Sequence, residues 1–139
     1  MQYKYRKLTL DQFAVLAVRP VADGDELSFN TEVQFNFDNA ASVLTNIMTL
    51  TVQTGDAILL KAVMISEFEI SPESISEIRG NDGRIEFNPH VLVQFASLNY
   101  GAMRGALAVK TVDSPLAGLV VPPVYFQSVI TSGFSVAAD

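Results

Sequence analysis

The clearest pattern in the chain is a strict alternation of apolar and polar residues over residues 27–38. Alternation of this length is typical of a half-buried β-strand. Two further segments, residues 42–53 and 57–70, also carry apolar residues at every second position and are joined by a short turn at residues 54–56. The three segments therefore predict an antiparallel β-meander with one apolar and one polar face. In the third segment the apolar set is Ile58, Leu60, Ala62, Met64, Phe68 and Ile70.

The N-terminal residues 1–20 predict an opening strand, or two strands separated by a bend. Tyrosines alternate with basic residues at its start, and a continuously apolar run follows at residues 13–18. Such a run is either buried on both faces or covered by a partner. Together with the meander, this segment predicts a four-stranded antiparallel sheet.

One long helix, residues 88–112, is predicted after the sheet. Asn88 suits the N-cap position and Pro89 the first helical position. At about 1.5 Å per residue the helix is roughly 36 Å long. Its apolar residues form two rows, and a single sheet covers only one of them. We therefore expect another element or another subunit to pack on the second row. The rows are Val91, Phe95, Leu98, Ala102, Ala106 and Val109, and Leu92, Ala96, Tyr100, Met103 and Leu107.

Small residues along this helix predict a close backbone contact. Gly101 and Gly105 lie four residues apart. A glycine inside a helix costs about 1 kcal/mol relative to alanine, and close packing is the expected compensation. Two arrangements are open, a contact within the chain or a helix contact between subunits, and we favour the second. On that interpretation the oligomer interface contains Leu98, Gly101, Ala102 and Gly105.

The segments around the helix are predicted to be less regular. Residues 71–88 form a polar connection with one helical turn. Residues 116–125 are apolar but interrupted by two prolines, which predicts an extended segment that cannot enter the interior of a sheet. Residues 125–131 predict a short closing helix. The predicted fold class is therefore α+β, with residues 1–139 in a single domain.

Composition narrows the possible functions. Fifteen acidic and nine basic residues give a net charge of −6, which argues against nucleic acid or an anionic membrane as a partner. The hydrophobic fraction of 49% beside only 17% charged residues favours an oligomer or an apolar binding surface. No apolar run approaches the ~20 residues that span a bilayer, and no signal peptide is recognisable, so a cytoplasmic location is expected.

No residue pattern points to catalysis or to a metal. The chain has no cysteine, and its single histidine, His90, is predicted at the surface. Asp23, Asp25 and Glu26 lack the glycine and the ligand spacing of a calcium loop and predict a solvated turn. We therefore expect no enzymatic activity and no cofactor.

Apolar surface is the remaining feature. The helix and the extended segment after it predict a groove, and such a groove suits an extended polypeptide whose side chains enter pockets. The candidate groove residues are Phe13, Tyr100, Tyr125 and Phe126. Packing of these side chains in the core of one chain is the alternative.

The order of these parts resembles the SecB-like family of bacterial export chaperones. The matching stretches are TEVQFNFDNAASVLTNIMTLTVQTGDAILLKAVMISEFEISP for the meander and LNYGAMRGALAVKTVDSPLAGLVVPPVYFQSVI for the helix and its exit. The run LVVPPVYF, residues 119–126, is similar to the family's apolar-Pro-Val-aromatic exit. The resemblance covers nearly the whole chain by layout. It implies a holdase for non-native polypeptides, acting without ATP, that forms dimers through the first strand and the long helix and pairs them into tetramers.

In the family that this chain resembles, clients are delivered to the translocation ATPase SecA. Among the positions where the family carries acidic contacts, Asp11 and Asp56 are acidic, whereas Val15 and Ala57 are not. Contact with SecA and a role in export therefore stay open. Relatives that serve toxin–antitoxin pairs suggest the alternative, a structural or regulatory oligomer that uses its apolar surface in self-assembly and has no export role.

Overall fold

The computed structural model describes residues 1–137, so that residues 138–139 of the predicted domain lie outside it. Four strands form one antiparallel sheet in the order β1-β4-β3-β2: β1 (Tyr3–Val15), β2 (Ser28–Asp38), β3 (Val43–Thr54) and β4 (Ala57–Ile70). The remaining elements are α1 (Pro72–Ile78), β5 (Ile85–Phe87), α2 (Pro89–Lys110), a 3-10 turn (Phe126–Ser128) and β6 (Phe134–Val136). The predicted α+β fold is confirmed.

The core lies between α2 and one face of the sheet. From β3, the side chains of Leu44, Met48, Leu50 and Val52 are fully buried. From α2, the buried residues include Leu92, Phe95, Ala96, Tyr100, Met103 and Leu107. The row that packs on the sheet is therefore the second predicted row, which runs from Leu92 to Leu107. Phe95, which was predicted in the first row, packs there as well. The Asn88 side chain caps the helix by accepting a hydrogen bond from the Val91 amide. None of the helices within residues 1–137 is long and apolar enough to cross a membrane.

β1 is a single strand whose pairing with β4 is interrupted by two bulges. The register shifts lie between Tyr5 and Lys7 and between Leu10 and Gln12. A bulge adds one residue to one strand of a pair, so each of these shifts returns the next apolar side chain to the helix side of the sheet. The residues on that side, each opposite a buried β4 residue, are Tyr3, Tyr5, Leu8, Leu10, Phe13 and Val15.

Two apolar segments are more exposed than burial in the core of one chain requires. Ile58 was predicted in phase with the core residues of β4, but a register shift between Val52 and Gln53 leaves it 46% exposed. The apolar run at residues 13–18 is not buried on both faces, since Leu16 is 54% and Val18 94% exposed. Coverage of this run by a partner, the other alternative, stays a prediction. A shift of one residue moves a strand's side chains to the opposite face, which explains the error at Ile58.

The end of the chain also differs from the prediction. The closing helix expected at residues 125–131 is a single 3-10 turn, and the chain continues into β6, which pairs with β5. Before β6, a Cβ atom at Gly133 would lie 2.6 Å from the Phe87 carbonyl oxygen, so this close approach requires glycine. Strands as short as β5 and β6 carry too few residues for an alternation signal.

Candidate functional site: an apolar groove at the exit from the long helix

The chain leaves α2 and turns back along it as an extended segment, residues 116–125, which we call the strap. Gly118 helps to make the turn, with φ at +83°, a conformation that glycine adopts without steric cost. Two side chains of α2 then hold the strap. Arg104 Nε donates to the Val121 carbonyl at 2.8 Å, and the Tyr100 hydroxyl donates to the Pro122 carbonyl at 2.7 Å.

An apolar groove of about 390 Å³ lies between the strap and the start of β2. One wall comes from the β1–β2 connection and from β2 itself, and the other from the strap and the proline before it. The lining residues are Pro20, Val21, Leu27 and Phe29 on the first side and residues 115–120 on the second. This volume falls in the range of ~300–1,000 Å³ typical of ligand-binding pockets.

A second apolar depression, of about 290 Å³, lies on the other side of the strap. Its walls are residues 119–121 of the strap and Arg104, Gly105 and Ala108 of α2. The strap therefore separates two depressions, one against the sheet and one against the helix.

The four predicted groove residues lie in three different environments. Tyr100 and Phe126 are buried and pack edge to face, with ring centroids 5.5 Å apart. Tyr125 is 70% exposed on the strap, and Phe13 is half-buried on β1. The structure thus brings only Tyr100 and Phe126 together, and none of the four lines the 390 Å³ groove.

The sequence predicted a groove between α2 and the strap, where the depression of about 290 Å³ lies, and it missed the wall that β2 and the loop before it contribute to the 390 Å³ groove. Leu27 and Phe29 begin the alternating segment, whose pattern predicts only that they lie on the apolar face of the sheet. The signal that could have identified them is their place at the end of the strand, next to the loop that carries Pro20 and Val21. Side chains at the end of an edge strand are the least covered by a helix packed on the sheet.

The residues of the predicted oligomer interface lie on the side of α2 that faces away from the sheet. Leu98 is 39% exposed, and Ala102 is half-buried. No atom of the described chain, apart from the helix's own backbone, lies within 4 Å of a Cβ placed at Gly101 or Gly105. The alternative of a tight contact within the chain is therefore wrong. The contact between subunits stays a prediction.

Burial raises the pKa of the Tyr100 hydroxyl above its ordinary value of 10.0, and the nearby Arg104 guanidinium offsets part of that increase. The folded state therefore holds this proton more tightly than the unfolded state. The resulting contribution to stability is complete below pH 10 and is lost as the pH rises above it.

We expect the urea midpoint of the wild type to fall as the pH is raised above 10, and to fall less for Tyr100→Phe, which has no proton to lose there. Tyr125→Phe is the control, because Tyr125 is exposed. Its urea midpoint should depend on pH as that of the wild type does. Identical pH profiles for Tyr100→Phe and the wild type would contradict the prediction.

Metal binding has no candidate among the described residues. Within residues 1–137, no group of three or more histidine, aspartate or glutamate side chains is arranged to hold a metal ion.

Comparison with known proteins gives a structural match without a sequence match. No protein-family model matches the chain, and no curated protein matches it. Solved structures do match. One is the SecB-like chaperone Rv1957 of Mycobacterium tuberculosis in complex with a ChAD peptide from the Rv1956 HigA1 antitoxin. It superposes with a TM-score of 0.55 over 88% of this chain and 90% of that chain, at 11% identity. The chain therefore has a SecB-like fold, as the resemblance in sequence layout predicted.

Proposed function

We propose that the protein is a holdase that binds non-native polypeptide, without ATP, in the apolar groove beside the strap. The observation that carries this proposal is the groove itself, about 390 Å³ in volume and lined mainly by aliphatic and aromatic side chains. The SecB-like fold supports it, since a chaperone of the same fold is described in complex with a peptide. Burial of client side chains there contributes about 25 cal/mol per Å² of apolar surface.

Exposed side chains on the strap provide the first contacts for a client. Val120 is 76% exposed and lines the groove, and Tyr125 is 70% exposed farther along the strap. We keep Phe13 and Tyr125 as candidate client contacts at the surface. Tyr100 lies beneath the strap, and Phe126 is buried in the turn that follows it, so both can contact a client only when the strap moves.

Light scattering of an aggregating client tests the holdase activity. We expect the wild type to suppress aggregation at stoichiometric amounts and Val120→Asp to lose most of this effect, because it places a carboxylate in the apolar groove. Val129→Asp is the matched control, since Val129 is also exposed, at 54%, and does not line the groove. No suppression by the wild type would favour the alternative, a structural or regulatory oligomer.

We also propose that β1 pairs with β1 of a second copy. The side chains of β1 on the helix side of the sheet, from Tyr3 to Val15, are separated by two, three, two, three and two positions. This spacing is symmetric about Thr9. Antiparallel pairing centred on Thr9 would place Leu8 opposite Leu10 and Tyr5 opposite Phe13. A two-fold axis requires such a self-complementary surface.

The same register would place Lys7 opposite Asp11, and opposite charges at facing positions stabilise a strand pair. We expect Lys7→Glu to weaken the oligomer and the double variant Lys7→Glu/Asp11→Lys to restore it, as measured by sedimentation equilibrium. Lys61→Glu, which changes an exposed lysine on β4, is the control for net charge. Failure of the double variant to restore the wild-type mass would exclude this register.

We infer a cytoplasmic location for the protein.

A role in export is a separate proposal, and it requires contact with SecA. The two matching acidic residues, Asp11 and Asp56, are both exposed, but Val15 packs against the core and Ala57 is uncharged. We therefore expect at most weak binding of SecA, and surface plasmon resonance with purified SecA and Asp11→Asn/Asp56→Asn tests it.

A further inference from the structure

The strap is held on α2 as a bound peptide would be, rather than as part of a sheet or helix. Among the described residues, the backbone of residues 120–124 makes no hydrogen bond to other backbone groups. Its polar contacts with α2 come from the Arg104 and Tyr100 side chains, which donate to the carbonyls of Val121 and Pro122. A segment with so few backbone hydrogen bonds has low local stability.

Three buried side chains at regular intervals anchor the strap and the turn that follows it. Leu116, Val121 and Phe126 lie five residues apart and are 1%, 6% and 1% exposed. The residue before each of the last two anchors, Val120 and Tyr125, points instead to solvent. Separate anchoring side chains joined by extended backbone are typical of peptides bound in grooves.

We propose that the surface of α2 beneath the strap is a second polypeptide-binding site. The strap occupies this site in the free protein, and an extended apolar segment of a client displaces the strap from it. This inference rests on the proposed holdase function. The client's carbonyl groups accept the hydrogen bonds of Tyr100 and Arg104, and its apolar side chain takes the place of Val121. Backbone carbonyls are present in every client, so this site selects for extended shape and apolar character rather than for one sequence.

Displacement of the strap also enlarges the binding surface. The strap is the wall between the depression of about 390 Å³ against the sheet and that of about 290 Å³ against α2. Without this wall the two form one continuous groove, in which a client buries more apolar surface than in either part.

Competition with the strap has a measurable consequence. When the binding-competent form is only a fraction of the population, the apparent dissociation constant rises in inverse proportion to that fraction. A substitution that loosens the strap without changing α2 should therefore strengthen binding. Val121 and Val129 provide a matched pair of valines, because Val121 is buried, whereas Val129 is exposed and lines neither depression.

The experiment uses a labelled synthetic peptide with the sequence of residues 114–127 as the ligand of the full chain, followed by fluorescence anisotropy. We expect Val121→Ala to bind this peptide about three- to ten-fold more tightly than the wild type, as a larger open fraction requires. Val129→Ala should bind as the wild type does, because Val129 lines neither depression. Hydrogen exchange of the Leu119 amide, which donates to the Leu116 carbonyl, should be faster in Val121→Ala than in the wild type or Val129→Ala. Val121→Thr, which keeps the shape of valine, serves in its place if Val121→Ala does not fold.

Two results would overturn the inference. Faster exchange in Val121→Ala without tighter peptide binding would show that the strap does not compete with a ligand. Unchanged exchange would show that the strap does not open separately from the core. Either result leaves the holdase proposal standing, because the light-scattering assay of the wild type decides that question independently.

Discussion

Replacing Asn99 by leucine is expected to lower the free energy of unfolding by about 2–4 kcal/mol. Asn99 is fully buried between α2 and the sheet. Leucine would leave the side-chain oxygen of Asn46 without its hydrogen bond, at a cost of about 1–3 kcal/mol. It would also place a larger branched side chain in a close-packed site, where overpacking typically costs a further 1–3 kcal/mol.

The geometry of Asn99 explains the size of this effect. Its Nδ2 donates to Asn46 Oδ1 at 2.7 Å and to the Met64 carbonyl at 3.0 Å, and its Oδ1 accepts from Ser66 Oγ at 2.7 Å. Ser66 is also hydrogen-bonded to the Tyr5 hydroxyl, and the Asn46 amide donates to a backbone carbonyl of β2. The network therefore connects α2 to all four strands of the sheet. Within residues 1–137 no buried side-chain polar atom lacks a partner.

Urea denaturation at pH 7 measures the change. Ser97→Leu is the control, because Ser97 is exposed on the same helix and its substitution should change stability by less than about 0.5 kcal/mol. The double variant Asn46→Ala/Asn99→Leu should lose less stability than the sum of the two single variants, since it removes the unpaired oxygen of Asn46 and leaves room for the leucine. An Asn99→Leu protein as stable as Ser97→Leu would contradict this account of the network.

Replacing Gly105 by leucine is expected to lower the mass of the oligomer while the fold of the subunit is kept. Within the described chain, apart from the helix's own backbone, no atom lies within 4 Å of a Cβ at this position, so leucine fits without a clash. Removal of a helical glycine should raise the stability of the subunit by somewhat under ~1 kcal/mol. If two helices meet at Gly101 and Gly105, overpacking costs about 1–3 kcal/mol per copy of the contact, and a two-fold axis repeats it.

Multi-angle light scattering, with far-ultraviolet circular dichroism on the same samples, measures both effects. Gly24→Leu is the control, because Gly24 also lies in open space but belongs to the β1–β2 connection. We expect Gly105→Leu to have a lower mass with an unchanged dichroism spectrum, and Gly24→Leu to keep the wild-type mass. A Gly105→Leu protein of wild-type mass would place this face of α2 outside any subunit interface.

The sequence by itself determined the elements whose signals are local. The alternation at residues 27–38 predicted β2 almost to the residue, because its apolar side chains face one side without a bulge in the pairing with β3. Asn88 and Pro89 fixed the start of α2, because capping depends on neighbouring residues only. The order of these elements, with the proline-containing exit from α2, was sufficient to predict the SecB-like fold that the structural match shows.

Only the tertiary structure decided how these elements meet. The bulges of β1 and the burial of Asn46, Ser66 and Asn99 depend on pairing between residues far apart in the sequence. A buried polar residue is stable only when its partners are present, and no local pattern shows which distant residue is the partner. The groove has the same origin, because its two walls are nearly 100 residues apart in the chain and the 390 Å³ between them exists only once the strap has folded back along α2.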